Sequence, residues 1–276
     1  GEAKLTLVTN AAGGIIDDII VYRMGVDEWR IVYNAGCLDK DRDWFRTQGD
    51  AFDIVLDDES DRTGLIAVQG PRAIEILGET VASLPRFGIG RAVVGGVDVL
   101  AARTGYTGED GAELFVENHE AATVWAHLVD AGAIPCGLGA RDTLRVEAAL
   151  PLYGHEMDET VDPFRARLGW VVKLDRTDDF IGKSALASLK RSRNEVLVGI
   201  QVEGRGIPRE GYPIHCVDGT PIGQVTSGTF SPTISKGIAL ARVRSGVVAV
   251  GDPVDVLIRE TPHRAVVAPL PFVKNV

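Results

Sequence analysis

Cysteine is scarce in this chain: 276 residues carry three, Cys37, Cys136 and Cys216. They are odd in number, far apart and form no C-x-x-C pair. That pattern argues against a secreted disulfide framework and a structural zinc site, and favours a reducing compartment. Histidine is sparse as well, with five scattered residues. His155-Glu156 opens H-E-M-D-E but lacks the second histidine that a zinc-protease helix needs, so ordinary surface or core histidines explain all five. No apolar run approaches the ~18 residues of a membrane span, and no signal-peptide pattern is visible. Basic charge is the minority: 29 Lys and Arg stand against 39 Asp and Glu, a formal net charge of −10. Such a surface repels a nucleic-acid backbone, although a local basic patch for a small anion stays open. A starting methionine is missing too. Residue 1 is Gly and a strand pattern begins by Lys4, so the chain is expected to have lost its natural N-terminus.

What remains is ordinary globular material, 45% hydrophobic and 25% charged, which excludes disorder and collagen-like repeats. Residues 4–9, 15–22 and 29–33 are β-branched or alternating runs, and residues 39–48 carry a helical charge pattern. Gly64–Gln69 reads as a strand, followed by Pro71 at a helix-start position and a helix over residues 72–79. Residues 91–103 predict a hairpin turned at Gly95-Gly96. A strand over 112–116 and helices over 119–131, 140–150 and 182–189 complete this part. The basic stretch Lys190-Arg191-Ser192-Arg193 then reads as a linker, or equally as a solvated helix end. Beyond Glu195 short strands punctuated by Gly and Pro predict a small barrel or sandwich. The expected fold class is α+β, a body over residues 1–190 with antiparallel sheets and flanking helices, plus a β-barrel module over 195–276.

Four segments could carry chemistry. In Asn10–Val21, Asp17 and Asp18 interrupt an apolar strand. An ionised carboxylate is costly in apolar surroundings, and alternation sends the two side chains to opposite faces. One could enter a cavity while the other meets solvent; a half-exposed edge strand with both hydrated fits equally. In Arg103–Glu113, three glycines in seven residues permit close backbone approach, Tyr106 offers a ring and a hydroxyl, and Glu113 could accept two N–H groups from an amino-pyrimidine edge. A tight hairpin loop with solvated acids is the alternative. In Gly137–Arg145, Arg141 and Arg145 lie one helical turn apart. They suit an anionic ligand near a helix start, unless Asp142 and Glu147 pair with them. The segment Pro151–Glu159 reads as a loop with solvated acids.

The ordered set of motifs resembles one family. Asn-x-x-Gly-Gly-Ile-x-Asp-Asp at 10–18, Asn34-Ala35-Gly36-Cys37, Gln69-Gly70-Pro71 and Gly105-Tyr106-Thr107-Gly108-Glu109-Asp110-Gly111 are similar to aminomethyltransferases, the T-proteins of the glycine cleavage system. So are Gly139-Ala140-Arg141-Asp142, Pro151-Leu152-Tyr153-Gly154-His155-Glu156, Gly169-Trp170-Val171-Val172-Lys173, Thr226-Ser227-Gly228 and Pro271-Phe272-Val273. Family members usually begin several dozen residues earlier, which agrees with the missing methionine. The resemblance implies a tetrahydrofolate co-substrate, a lipoylated H-protein partner, and neither metal, nucleic acid nor membrane. It implies a cytoplasmic enzyme, or a mitochondrial-matrix one in a eukaryote. By motif, Asp18 resembles the catalytic carboxylate, Glu113 and Arg141 resemble folate-binding residues, and Asn34 and Tyr106 resemble pocket residues. Related folate domains in dimethylglycine and sarcosine dehydrogenases or sulfonium demethylases use other donors, and the flavin enzymes carry a long extra domain. Relatives in iron–sulfur assembly carry a Lys-Gly-Cys-x-x-Gly-Gln signature that this sequence lacks.

Overall fold

The computed structural model describes residues 1–274; the last two positions of the module expected over 195–276 lie outside the described residues. The strands are β1 (Glu2–Thr9), β2 (Ile15–Arg23), β3 (Trp29–Val32), β4 (Thr63–Gln69), β5 (Ile89–Val94), β6 (Val97–Ala102) and β7 (Gly111–Glu117), then β8 (Glu195–Val202), β9 (Pro213–Cys216), β10 (Pro221–Ser231), β11 (Lys236–Arg244), β12 (Pro253–Ile258) and β13 (Thr261–Ala268). The helices are α1 (Leu38–Gly49), α2 (Ala73–Leu77), α3 (Glu79–Ala82), α4 (Ala121–Asp130), α5 (Leu138–Glu147) and α6 (Lys183–Leu189). None of them is long and apolar enough to cross a membrane. The three cysteines form no disulfide.

By Cα proximity the chain forms two compact units, Gly1–Thr6 with Ile19–Gly137, and Leu7–Asp18 with the chain from Leu138 onward. In the first, an antiparallel sheet has the order β4-β7-β6-β5. Its β5–β6 hairpin pairs Val94 with Val97 around Gly95 and Gly96. Both glycines take positive φ, as the tight turn demands. One face of the sheet buries Val68, Val99, Leu114 and Val116 against α2 and α4. The helix expected over 72–79 is two short ones, because Gly78 at φ +81° breaks the run.

In the second unit, six strands close a barrel in the order β10-β11-β8-β13-β12-β9, and closure leaves no unpaired edge. Its core is Ile200, Val202, Ile214, Val225, Ala241, Val254 and similar side chains. Helix α6 stops at Leu189, residues 190–194 are exposed, and β8 begins at Glu195. Between Val225 and Ser227 the β10 register slips by one residue, so Ser227 pairs with Leu240 rather than continuing the alternation. The bulge turns Ser227 out of the barrel core.

The Gly13-Gly14 pair has a packing reason. Asn10 caps its own turn, its Oδ1 accepting from the N–H groups of Ala12 and Gly14 at 3.0 Å. Its Nδ2 donates to the Glu159 carbonyl at 2.9 Å. A Cβ on Gly14 would sit 1.8 Å from that same carbonyl oxygen. Gly14→Ala should therefore force the 158–161 segment away from β2 and destabilise the fold by about 1–3 kcal/mol or more. Urea denaturation of the variant checks this, with an unchanged midpoint as the contrary result.

Candidate active site

In the first unit the site is built on β7, a central strand. Glu113 pairs across the sheet with Ala67 on β4 and Ala102 on β6. Two small neighbours leave the half-buried carboxylate standing above a low floor. Its Oε2 accepts a 2.6 Å hydrogen bond from the Thr104 hydroxyl. Thr104 Oγ1 lies in turn 3.1 Å from the hydroxyl of Tyr22. Tyr22 is fully buried and packs edge-on against Phe115, 5.5 Å between ring centroids. Burial pushes its phenol well above the ordinary tyrosine value, with the Glu113 charge adding to the rise.

The glycine-rich loop between β6 and β7 is held from below. Gln69 Nε2 donates to the carbonyls of Thr104, at 3.1 Å, and Ala112, at 3.3 Å. A Cβ on Gly105 would fall 1.9 Å from Gln69 Oε1, which explains the glycine there. Arg103 grips both oxygens of Asp110 at 2.7 and 2.8 Å. That guanidinium holds the Asp110 carboxyl below its ordinary value. One of the loop's acids is thus paired rather than simply solvated. Tyr106 is half-buried in this loop, and Asn34 is half-buried just before a short 3₁₀ turn over Ala35–Cys37.

In the second unit the two aspartates of β2 differ. Asp17 is fully buried and Asp18 half-buried. The burial of Asp17 excludes the reading in which both carboxylates are hydrated, and of the two only Asp18 keeps accessible surface. Helix α5 carries Arg141, which is exposed, while Arg145 one turn later is 2% exposed. Arg145 bonds Asp142 at 2.8 Å, Glu156 at 2.9 Å and Ser227 at 2.8 Å. Thr143 meets Thr229 at 3.2 Å, and Glu147 accepts from Ser231 and from Thr233 at 3.0 Å. These contacts lay α5 along the outer face of β10. The internal pairing considered for the helix thus holds for Arg145. The reading of residues 151–159 as a loop with solvated acids needs correction, because Glu156 is fully buried and also accepts from the Leu152 N–H at 3.0 Å.

The structure thus places Asn34, Tyr106 and Glu113 in one compact unit and Asp18 and Arg141 in the other. Sequence reasoning missed Tyr22 and Thr104 behind Glu113, and the Arg145–Glu156 pair behind Arg141. The i, i+3 spacing of Asp142 and Arg145 was the one local signal for the second group.

The first unit thus offers a carboxylate seated in a central strand beside a braced glycine loop, and the second a helix tied to a closed β-barrel. Residues 1–176 match the GCVT N-terminal domain, and residues 196–274 match the glycine cleavage T-protein C-terminal barrel domain. The aminomethyltransferase of Herpetosiphon aurantiacus is 45% identical over 99% of this chain and 77% of its own length. That of Symbiobacterium thermophilum is 43% identical over 100% of this chain and 77% of its own. The crystal structure of glycine cleavage system aminomethyltransferase T from Bartonella henselae superposes with a TM-score of 0.89 at 29% identity, covering 99% of this chain and 76% of that one. The chain belongs to the aminomethyltransferase (T-protein) family of the glycine cleavage system.

Proposed function

We propose that this chain moves a methylene unit from aminomethylated, lipoyl-bearing H-protein to tetrahydrofolate, yielding methylene-tetrahydrofolate, ammonia and dihydrolipoyl H-protein. The observation that carries the reading is the seating of Glu113. A carboxylate has about four acceptor positions, and its Oε2 is oriented by Thr104. A half-buried carboxylate flanked by Ala67 and Ala102 suits the paired N–H donors of a reduced pterin edge. Arg141, exposed on α5, suits an anionic group of a substrate, and Asn34 and Tyr106 are proposed to line the pocket.

Tetrahydrofolate supplies the nucleophilic ring nitrogen, so the protein's task is to position substrates and manage charge. Asp18 is proposed as the catalytic carboxylate. It is the member of the aspartate pair with accessible surface, whereas Asp17 has none. From there it can orient the nucleophile through a hydrogen bond and offset positive charge as it develops on the transferred carbon.

Glu113→Ala tests the pterin placement. Losing charge-assisted hydrogen bonds should cost about 1.5–3 kcal/mol, or roughly ten- to hundredfold in tetrahydrofolate affinity by titration calorimetry. Unchanged affinity contradicts the placement.

A further inference from the structure

The hydrogen bonds behind Glu113 have a fixed direction. Thr104 owns one hydroxyl proton, and it goes to the Glu113 carboxylate, which when ionised only accepts. The 3.1 Å contact between Thr104 and Tyr22 must then run the other way, with the phenol donating. Tyr22 is suited to a permanent donor role. It is fully buried and its pKa is raised, so it keeps its proton across the physiological range. The ring is fixed by Phe115, and both sit among Ala3, Ile89 and Ala102. The Thr104 main chain is fixed separately, through its carbonyl, by Gln69. Neither residue therefore has an easy alternative orientation.

From this we infer that Tyr22 and Thr104 are positioning residues, a one-way relay that holds the Glu113 carboxylate in one rotamer and aims it for the N–H groups of the pterin. The inference rests on the reading of Glu113 given above. Without the relay, the carboxylate would lose the hydrogen bond that orients its Oε2. Its orientation would then have to be fixed at binding, at a cost in affinity. Thr104 also occupies one acceptor site, so the charge of Glu113 is directed to its remaining positions.

The test uses the 276-residue chain and calorimetric titration with two ligands, tetrahydrofolate and an analogue lacking the 2-amino group. Thr104→Val keeps the shape and removes the donor. It should weaken tetrahydrofolate about tenfold, while the desamino analogue, which cannot use the aimed carboxylate fully, changes about threefold or less. Thr104→Ser restores the hydroxyl and should return affinity to within about twofold of the parent. Tyr22→Phe, one bond further away, should have a smaller effect of the same selectivity. Equal losses on both ligands, or Thr104→Ser as weak as Thr104→Val, would show packing alone and overturn the relay. So would wild-type affinity in Thr104→Val. Glu113→Gln, run in parallel, separates the two layers. If it leaves affinity unchanged, the pterin placement fails. If it weakens binding while Thr104→Val does not, the relay alone fails.

Discussion

Replacing Asp18 with asparagine should leave tetrahydrofolate binding within a few-fold while lowering turnover by roughly 10²–10⁴. The amide is nearly isosteric, so ground-state contacts survive. What disappears is the negative charge, and that charge matters most when positive charge builds on the transferred carbon. Asp17→Asn should alter single-turnover rates little, because a side chain with no accessible surface does not meet a substrate. Single-turnover kinetics on both variants decides between them. A dead Asp17→Asn beside an active, well-folded Asp18→Asn reverses the assignment.

Arg145 should give the largest loss of stability. Its guanidinium is 2% exposed and Glu156 opposite is 0% exposed. Arg145→Leu would leave that carboxylate in the interior without its cation. Breaking one side of a buried pair costs about 3–5 kcal/mol, since the abandoned charge keeps its desolvation penalty. At ~2–4 °C per kcal/mol for a protein of this size, the melting temperature should fall by about 10 °C. Arg145→Leu combined with Glu156→Leu should recover part of this, because the two apolar side chains leave no unpaired charge. A double variant no better than the single one would contradict the account. Because α5 rests on β10 through Arg145 and Ser227, the single variant should also loosen the helix that carries Arg141.

The parts of this fold legible in the sequence are those fixed by short-range rules. The Gly95-Gly96 hairpin, the alternating barrel strands and the polar break after Leu189 each depend on a few consecutive residues. The α2–α3 break was less legible, because Gly78 within an apolar pattern reads as a tolerated helix glycine until its φ of +81° is known. What escaped were long-range polar partnerships. Glu156 lies in a polar loop whose local pattern says solvent. Its burial depends on Arg145, eleven residues earlier. Ser227 reaches that arginine only because of the register slip after Val225. Tyr22 and Thr104 were hidden for a related reason. Each looks like an ordinary strand or loop residue until the register sets Glu113 between Ala67 and Ala102. Asp17 and Asp18 were visible as an anomaly from the start. Alternation alone could not rank them, and their difference in burial came only with the fold.

The most direct test of the functional reading is a coupled assay with aminomethylated H-protein and tetrahydrofolate as the two substrates. The account predicts ammonia and methylene-tetrahydrofolate in equal amounts, both requiring both substrates, and both strongly reduced in Asp18→Asn. Ammonia released at the same rate without tetrahydrofolate would contradict it, as would methylene-tetrahydrofolate formed from dimethylglycine or sarcosine but not from the loaded H-protein.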